Sequence, residues 1–275
     1  MACGRRSVDL TQSLFGPDSV TWRVNREAVL LLGGGRALLL QVAHPLVAAG
    51  VAAHSEFRRA PLQRLWRTLD LMLTITFADA THAIAAVRRI ERVHARVRGR
   101  LAADVGPFRR GTPYDASDPA LLLWVHATLV DTALLVYERF VGPLPRSARA
   151  RYYEESKIAA RIFGIPDELI PSSLTDFHSY MKRMISSDVL AVGNASREIA
   201  ASILHPPVAL PLQPAFRIAN LFTVGLLPSP LRERYRLTWG RTSEAALQMA
   251  AKTARSLMPL LPDLMRALPH ARQRI

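Results

Sequence analysis

His94 stands in the stretch IERVHARVRG, residues 90–99, among Arg92, Arg96 and Arg98. At 3.6 residues per turn Ala83, Val87, Ile90, His94 and Val97 fall on one stripe. Arg88, Arg89, Arg92 and Arg96 fall on the other, so the arginines form a solvated face and the imidazole looks inward. Such a histidine either bonds a neighbouring helix as a core residue or serves as a metal ligand or base in a dry pocket. His126, in LLLWVHATLVDT, is its rival: Leu122, Leu129, Val130, Ala133 and Tyr137 flank it on one helical face. His44, in LLQVAHP, lies on a segment apolar on nearly every side, where Pro45 distorts the backbone. His54 comes near the end of the same segment, and all four histidines are expected inside.

Arg64 and Thr68, in RLWRT, stand four apart and share a face with Leu71 and Ile75. Burying such groups unsatisfied costs a few kcal/mol each. Either Arg64 snorkels to water from the first helical turn, or both groups aim at an anionic or oxygen-bearing partner inside a bundle.

Other chemistries lack their residues. No pair of histidines has HExxH spacing, and no carboxylate sits three or four residues from an inward histidine in a two-metal pattern. There is no Gly-x-Ser-x-Gly elbow, no P-loop and no GxGxxG after a strand. Cys3 is the single cysteine, which excludes internal disulfides and thiolate metal clusters and points to a reducing compartment. What survives is a helical bundle with inward histidines, an Arg/Thr pair and an apolar interior, which suits a haem pocket.

The net charge is +14, and only Lys157, Lys182 and Lys252 of the 36 cations are lysines. A basic surface favours acidic partners, but no helix gathers its cations on one face beside aromatics. The expectation is therefore no nucleic acid, with room for peripheral contact with anionic lipid. TQSLFGPDSV follows Arg5-Arg6 where an export signal needs an apolar run, so a cytoplasmic protein is expected. The most apolar segment, residues 28–53, holds Gly33-Gly34-Gly35, Arg36, Gln41, His44 and Pro45. Those residues suit two buried helices with a break better than one lipid-exposed span.

The elements that must position these groups are helices. Periodic apolar runs predict them over 18–33, 36–54, 61–78, 80–98, 117–141, 147–163, 172–187, 194–203, 212–225 and 243–259. Asp18, Asp79 and Ser117-Asp118-Pro119 read as start signals, Gly99 as a C-cap, and residues 101–115 as a loop. The 275 residues read as a single all-α domain.

LLQVAHPLVAAGVAAHSEF, RLWRTLDLMLTITFAD, RRIERVHARVRG and YDASDPALLLWVHATLVDT, in this order, resemble the rubber oxygenase (latex-clearing protein) and MpaB-type oxygenase family. The likeness covers about residues 20–190 and is looser beyond. It implies a globin-like helical core with additional helices, holding haem b and using O2 on a hydrophobic, isoprenoid or lipid-like substrate. It also implies that His94 is the proximal iron ligand and that Arg64 and Thr68 stand beside the distal face. Arg67 takes the position of a lysine that caps the iron in rubber oxygenases; a guanidinium has no usable lone pair, which leaves the distal position to another group. The family's glutamate on the preceding helix has no counterpart between Arg36 and Glu56, so His44 or Gln41 is the candidate for its place. Two other classes stay open, a haem carrier or sensor without turnover and a haem-free basic helical protein on acidic lipid; His126 is the rival to His94 as iron ligand.

Overall fold

The computed structural model describes residues 13–54, 61–206, 211 and 213–272, with residues 61–68 described by their backbone. The fold is all-α with one small hairpin: α1 Val20–Asn25, a 3-10 turn Ala28–Gly33, α2 Gly34–Val42, α3 Pro45–His54, α4 Pro61–Phe77, α5 Ala80–His94, β1 Arg98–Arg100, β2 Pro113–Asp115 and α6 Pro119–Phe140. The rest runs α7 Arg146–Ile162, α8 Leu174–Ser186, α9 Asn194–Leu204, α10 Gln213–Gly225, α11 Ser229–Tyr235, α12 Arg241–Leu257, α13 Asp263–Arg266 and α14 Pro269–Arg272.

Helix α6 is the axis. Asp118 caps it by accepting a hydrogen bond from the Ala120 amide (2.8 Å), and Pro119 at its first position loses no needed donor. Trp124, Ala127, Val130, Leu134 and Tyr137 pack into the main core with α2, α7 and α8. By length and composition α6 could cross a membrane, yet more than half of its most apolar stretch is buried by protein, as in a core helix. The 28–54 segment is bent by 106° where α2 meets α3. Pro45 has no amide to continue α2, so the expected helix over 36–54 is two.

Helices α4 and α5 form an antiparallel hairpin joined by Ala78 and Asp79. Asp79 caps α5 through the His82 amide (2.9 Å). Ile75 packs with Ala86 and Val87, and Leu71, Met72 and Ile90 pack beside them. The hairpin is held to the body by Trp22 of α1, which with Leu73, Phe77, Leu268 and Ala271 forms a separate cluster.

Several boundaries differ from the periodicity reading. Ser19, not Asp18, caps α1 through the Trp22 amide (3.0 Å), and the segment after Asn25 tightens into the 3-10 turn. Helix α5 stops at His94, not 98, and Gly99 is not its cap but the centre of β1, paired with Tyr114 of β2. A Cβ there would come 2.5 Å from the Tyr114 hydroxyl oxygen, so glycine permits the close pairing. The presumed loop 101–115 thus ends in a strand. The short helices after residue 228 escaped periodicity because segments of four to seven residues complete at most two turns.

Candidate functional site

The predicted stripe on α5 is real. Ala83 and Val87 are buried, Ile90 and His94 are half-buried, and Arg88, Arg89, Arg92 and Arg96 are exposed. His94 closes the helix, and its imidazole forms no hydrogen bond with any described residue. Burial lowers its pKa, against the opposing pull of the Asp115 carboxylate. At neutral pH it is therefore a neutral ring with a lone pair free, the form that ligates metal.

Positions 64, 67 and 68 lie on the first two turns of α4. The side chains of Arg64, Arg67 and Thr68 lie outside the described residues, so the fold fixes only their register. Both helices rise about 1.5 Å per residue from the turn at 78–79, which sets positions 64 and 68 level with the last turns of α5. The stripe that continues from them, Leu71 and Ile75, faces α5. Periodicity and topology together bring the Arg/Thr pair and His94 to the same open end of one hairpin.

His44 is buried at the junction of α2 and α3, and its ring lies 5.3 Å from that of Phe108. Its Nδ1 accepts a hydrogen bond from the Leu46 amide (3.3 Å), making it the N-cap of α3. Burial drives its pKa down to about 4, with Asp118 pulling the other way. One ring nitrogen is thus spent on structure. The alternative candidate Gln41 donates from its amide to Thr128 Oγ1 (3.2 Å), so α2 presents no ionised group at either position.

His126 lies deep enough in the protein for its pKa to fall to about 4, with desolvation the sole cause, yet its side chain keeps accessible surface. Like His94 it bonds no described residue. Its neighbours on that face of α6, Leu122, Val125 and Ala133, are half-buried, and Leu129 is exposed. His54 is not interior: it is exposed at the end of α3, with Nε2 3.1 Å from the Arg98 carbonyl oxygen and beside the Tyr114 ring. Helix α3 ends there, against the edge of the β1/β2 hairpin.

The structure adds what periodicity could not show. The turn from Asp115 to Asp118 links the histidines, since its two carboxylates act on His94 and His44 respectively. Capping chemistry announced Asp118, but nothing local announced its reach to His44. Arg36, 3% exposed, donates to the Leu226 carbonyl (2.8 Å), to Thr132 and to Asp131 (2.6 Å), tying α2, α6 and α10 together. Among the described residues no three His, Cys, Asp or Glu side chains converge to hold a metal. A metal at His94 would thus bring most of its own ligands, as iron in a porphyrin does, and a lone neutral imidazole on an apolar stripe fits that group.

The chain matches, over residues 22–256, the family described as ER-bound oxygenase mpaB/B'/rubber oxygenase, catalytic domain. That span takes in the last third, where the motifs alone were loose. Two mycobacterial relatives, uncharacterized protein Mb2261 of Mycobacterium bovis and uncharacterized protein Rv2237 of Mycobacterium tuberculosis, are each 26% identical over 234 residues, covering 82% of this chain and 87% of theirs. No solved structure matches significantly.

Proposed function

Because this chain belongs to the mpaB/rubber oxygenase catalytic-domain family, we propose that it is a haem b-dependent oxygenase using O2 on a small apolar substrate of isoprenoid or lipid-like character. One observation carries the reading: His94 offers a neutral, half-buried, unpartnered imidazole at the hairpin end level with Arg64 and Thr68. His94 would hold the iron, and haem when bound supplies the redox chemistry of O2. Arg64 would neutralise a propionate or bond the oxygen-bearing ligand, and Thr68 would donate a hydrogen bond on the distal side. Arg67, a permanently protonated guanidinium, would not serve as an iron ligand. Arg92 on α5 and Arg96 just past its end, both exposed, would supply positive charge to the propionates. The half-buried face of α6 around His126 would line the substrate recess.

The visible spectrum of the purified protein tests the cofactor, with a Soret band expected. Oxygen consumption with a prenylated substrate separates an oxygenase from a carrier. Arg64→Ala and Thr68→Val should lower turnover by roughly a hundred- to a thousandfold with haem retained, the usual scale for losing an electrostatic donor. Loss of haem from Arg64→Ala would make that residue a propionate anchor, and unchanged turnover in both would remove the pair from the site.

A further inference from the structure

Eleven large hydrophobic side chains are exposed among the described residues, and four of them, Leu257, Leu260, Leu264 and Met265, fall within nine positions. Single exposed leucines need no explanation, but a contiguous group marks a contact surface. The segment is SLMPLLPDLM, residues 256–265, and its prolines force it out of helix α12 into a 3-10 turn and the four-residue α13.

This segment is not a loose tail. On one side α12 is anchored through buried Leu247 and Ala251. On the other, the Arg266 guanidinium makes three hydrogen bonds of 2.7–3.0 Å to the fully buried Glu27 carboxylate. Ala267 bridges to Glu27, and Leu268 and Ala271 are buried beside Trp22 and Phe77. The core side is thus taken by residues 266–271, and the fold holds the apolar side chains outward on a rigid base.

The surrounding charge selects the occupant. From Arg241 to Arg272 there are five cations and two carboxylates. Both carboxylates are engaged, Asp263 with Arg26 (3.3 Å) and Glu244 with Arg139 (3.5 Å) and the Trp239 ring N–H (2.9 Å). Lys252 and Arg272 are exposed on either side of the knuckle, and neither forms an ion pair with a described residue. A second copy of a chain carrying +14 would meet like charge there. Apolar side chains flanked by cations instead match a bilayer with anionic headgroups.

We propose that residues 257–265 form a membrane-docking knuckle that seats Leu257, Leu260, Leu264 and Met265 among the acyl chains of an anionic bilayer while Lys252 and Arg272 meet headgroup phosphates. The inference stands whether or not the chain is an oxygenase. Flotation of the full-length protein with phosphatidylcholine vesicles, with and without phosphatidylglycerol, tests it. The wild type should float with the anionic vesicles, and Leu260→Ser with Leu264→Ser should cut the bound fraction roughly tenfold or more while leaving the circular dichroism spectrum unchanged. Lys252→Ala with Arg272→Ala should weaken binding less and flatten its salt dependence. Failure of the wild type to float with anionic vesicles would overturn the proposal. So would wild-type binding untouched by the serine pair, or light scattering showing a wild-type dimer that the serine pair converts to monomer.

Discussion

Two regions of this molecule treat buried polar groups in opposite ways. Around Arg36 every charge is answered: Asp131, Thr132 and the Leu226 carbonyl take up its guanidinium, and a few residues earlier Glu27 is answered by Arg266. At the open end of the α4/α5 hairpin His94 bonds no described residue, and on α6 neither does His126. Burying an unpaired polar group costs free energy, and proteins rarely leave one without a reason. The paired region holds helices together. The unpaired imidazoles, each half-buried, are open to something other than the fold.

The largest expected effect tests which imidazole is held for iron. His94→Ala should give a folded, colourless protein, whereas His126→Ala should keep its Soret band with altered turnover, because His126 lies among half-buried aliphatic residues of α6. A coloured His94→Ala beside a colourless His126→Ala would exchange the two roles. Two colourless proteins from a colourless wild type would return both to the core.

The next effect belongs to the paired region. Arg36→Leu strands Asp131 and Thr132 against a buried helix face, and removing one partner of a buried charged network costs about 3–5 kcal/mol. Urea unfolding should show that loss in the midpoint with little change of slope. A loss below about 1 kcal/mol would mean that water reaches Asp131 and that the contrast between the regions is weaker than drawn.

Acid should act on the buried imidazoles. His44 and His126 both have pKa values lowered to about 4 by burial, so the unfolded chain, titrating near 6.5, takes up protons first. Stability is then fully present above pH 6.5 and falls as the pH drops from 6.5 toward 4. For the buried His44 the loss amounts to about 3 kcal/mol across that window. His44→Asn should keep the N-cap of α3 and shrink the acid slope; an unchanged slope would place the proton uptake elsewhere.

These contrasts were unequally legible in the sequence. The α5 stripe and the cap at Asp118 came from rules that act within a few residues, and the structure has them; the expected helix over 36–54 ran through Pro45, where the structure bends. The hairpin of α4 and α5, which sets positions 64 and 68 level with His94, came only with the structure. What could not be read was partnership across the chain. Glu27 and Arg266 are 239 positions apart and Arg36 and Asp131 are 95, and no local pattern joins them. His54 was misplaced for a related reason: an apolar segment says that a helix is buried somewhere, not where its cover stops. The cap role of His44 was hidden too, because periodicity gives a side chain's direction and not the amide it meets.

The smallest effect lies where the two regions touch. Asp118 caps α6 through its 2.8 Å bond from Ala120 and reaches the buried imidazole of His44 through its charge. Two substitutions separate these roles. Asp118→Ala removes cap and charge together and should cost about 1 kcal/mol at neutral pH, the usual worth of an N-cap. Asp118→Asn keeps a side-chain oxygen that caps equally well, so at neutral pH it should change stability by only a few tenths of a kcal/mol. Its signature should come in acid. Without the carboxylate that favours the imidazolium, the His44 pKa falls further, the gap to its unfolded value widens, and stability declines more steeply below pH 6.5. Proton titration of His44 by nuclear magnetic resonance in the Asn variant reads this directly. An unmoved His44 resonance would show that Asp118 only caps and that the turn at 115–118 does not couple the helix axis to the histidines.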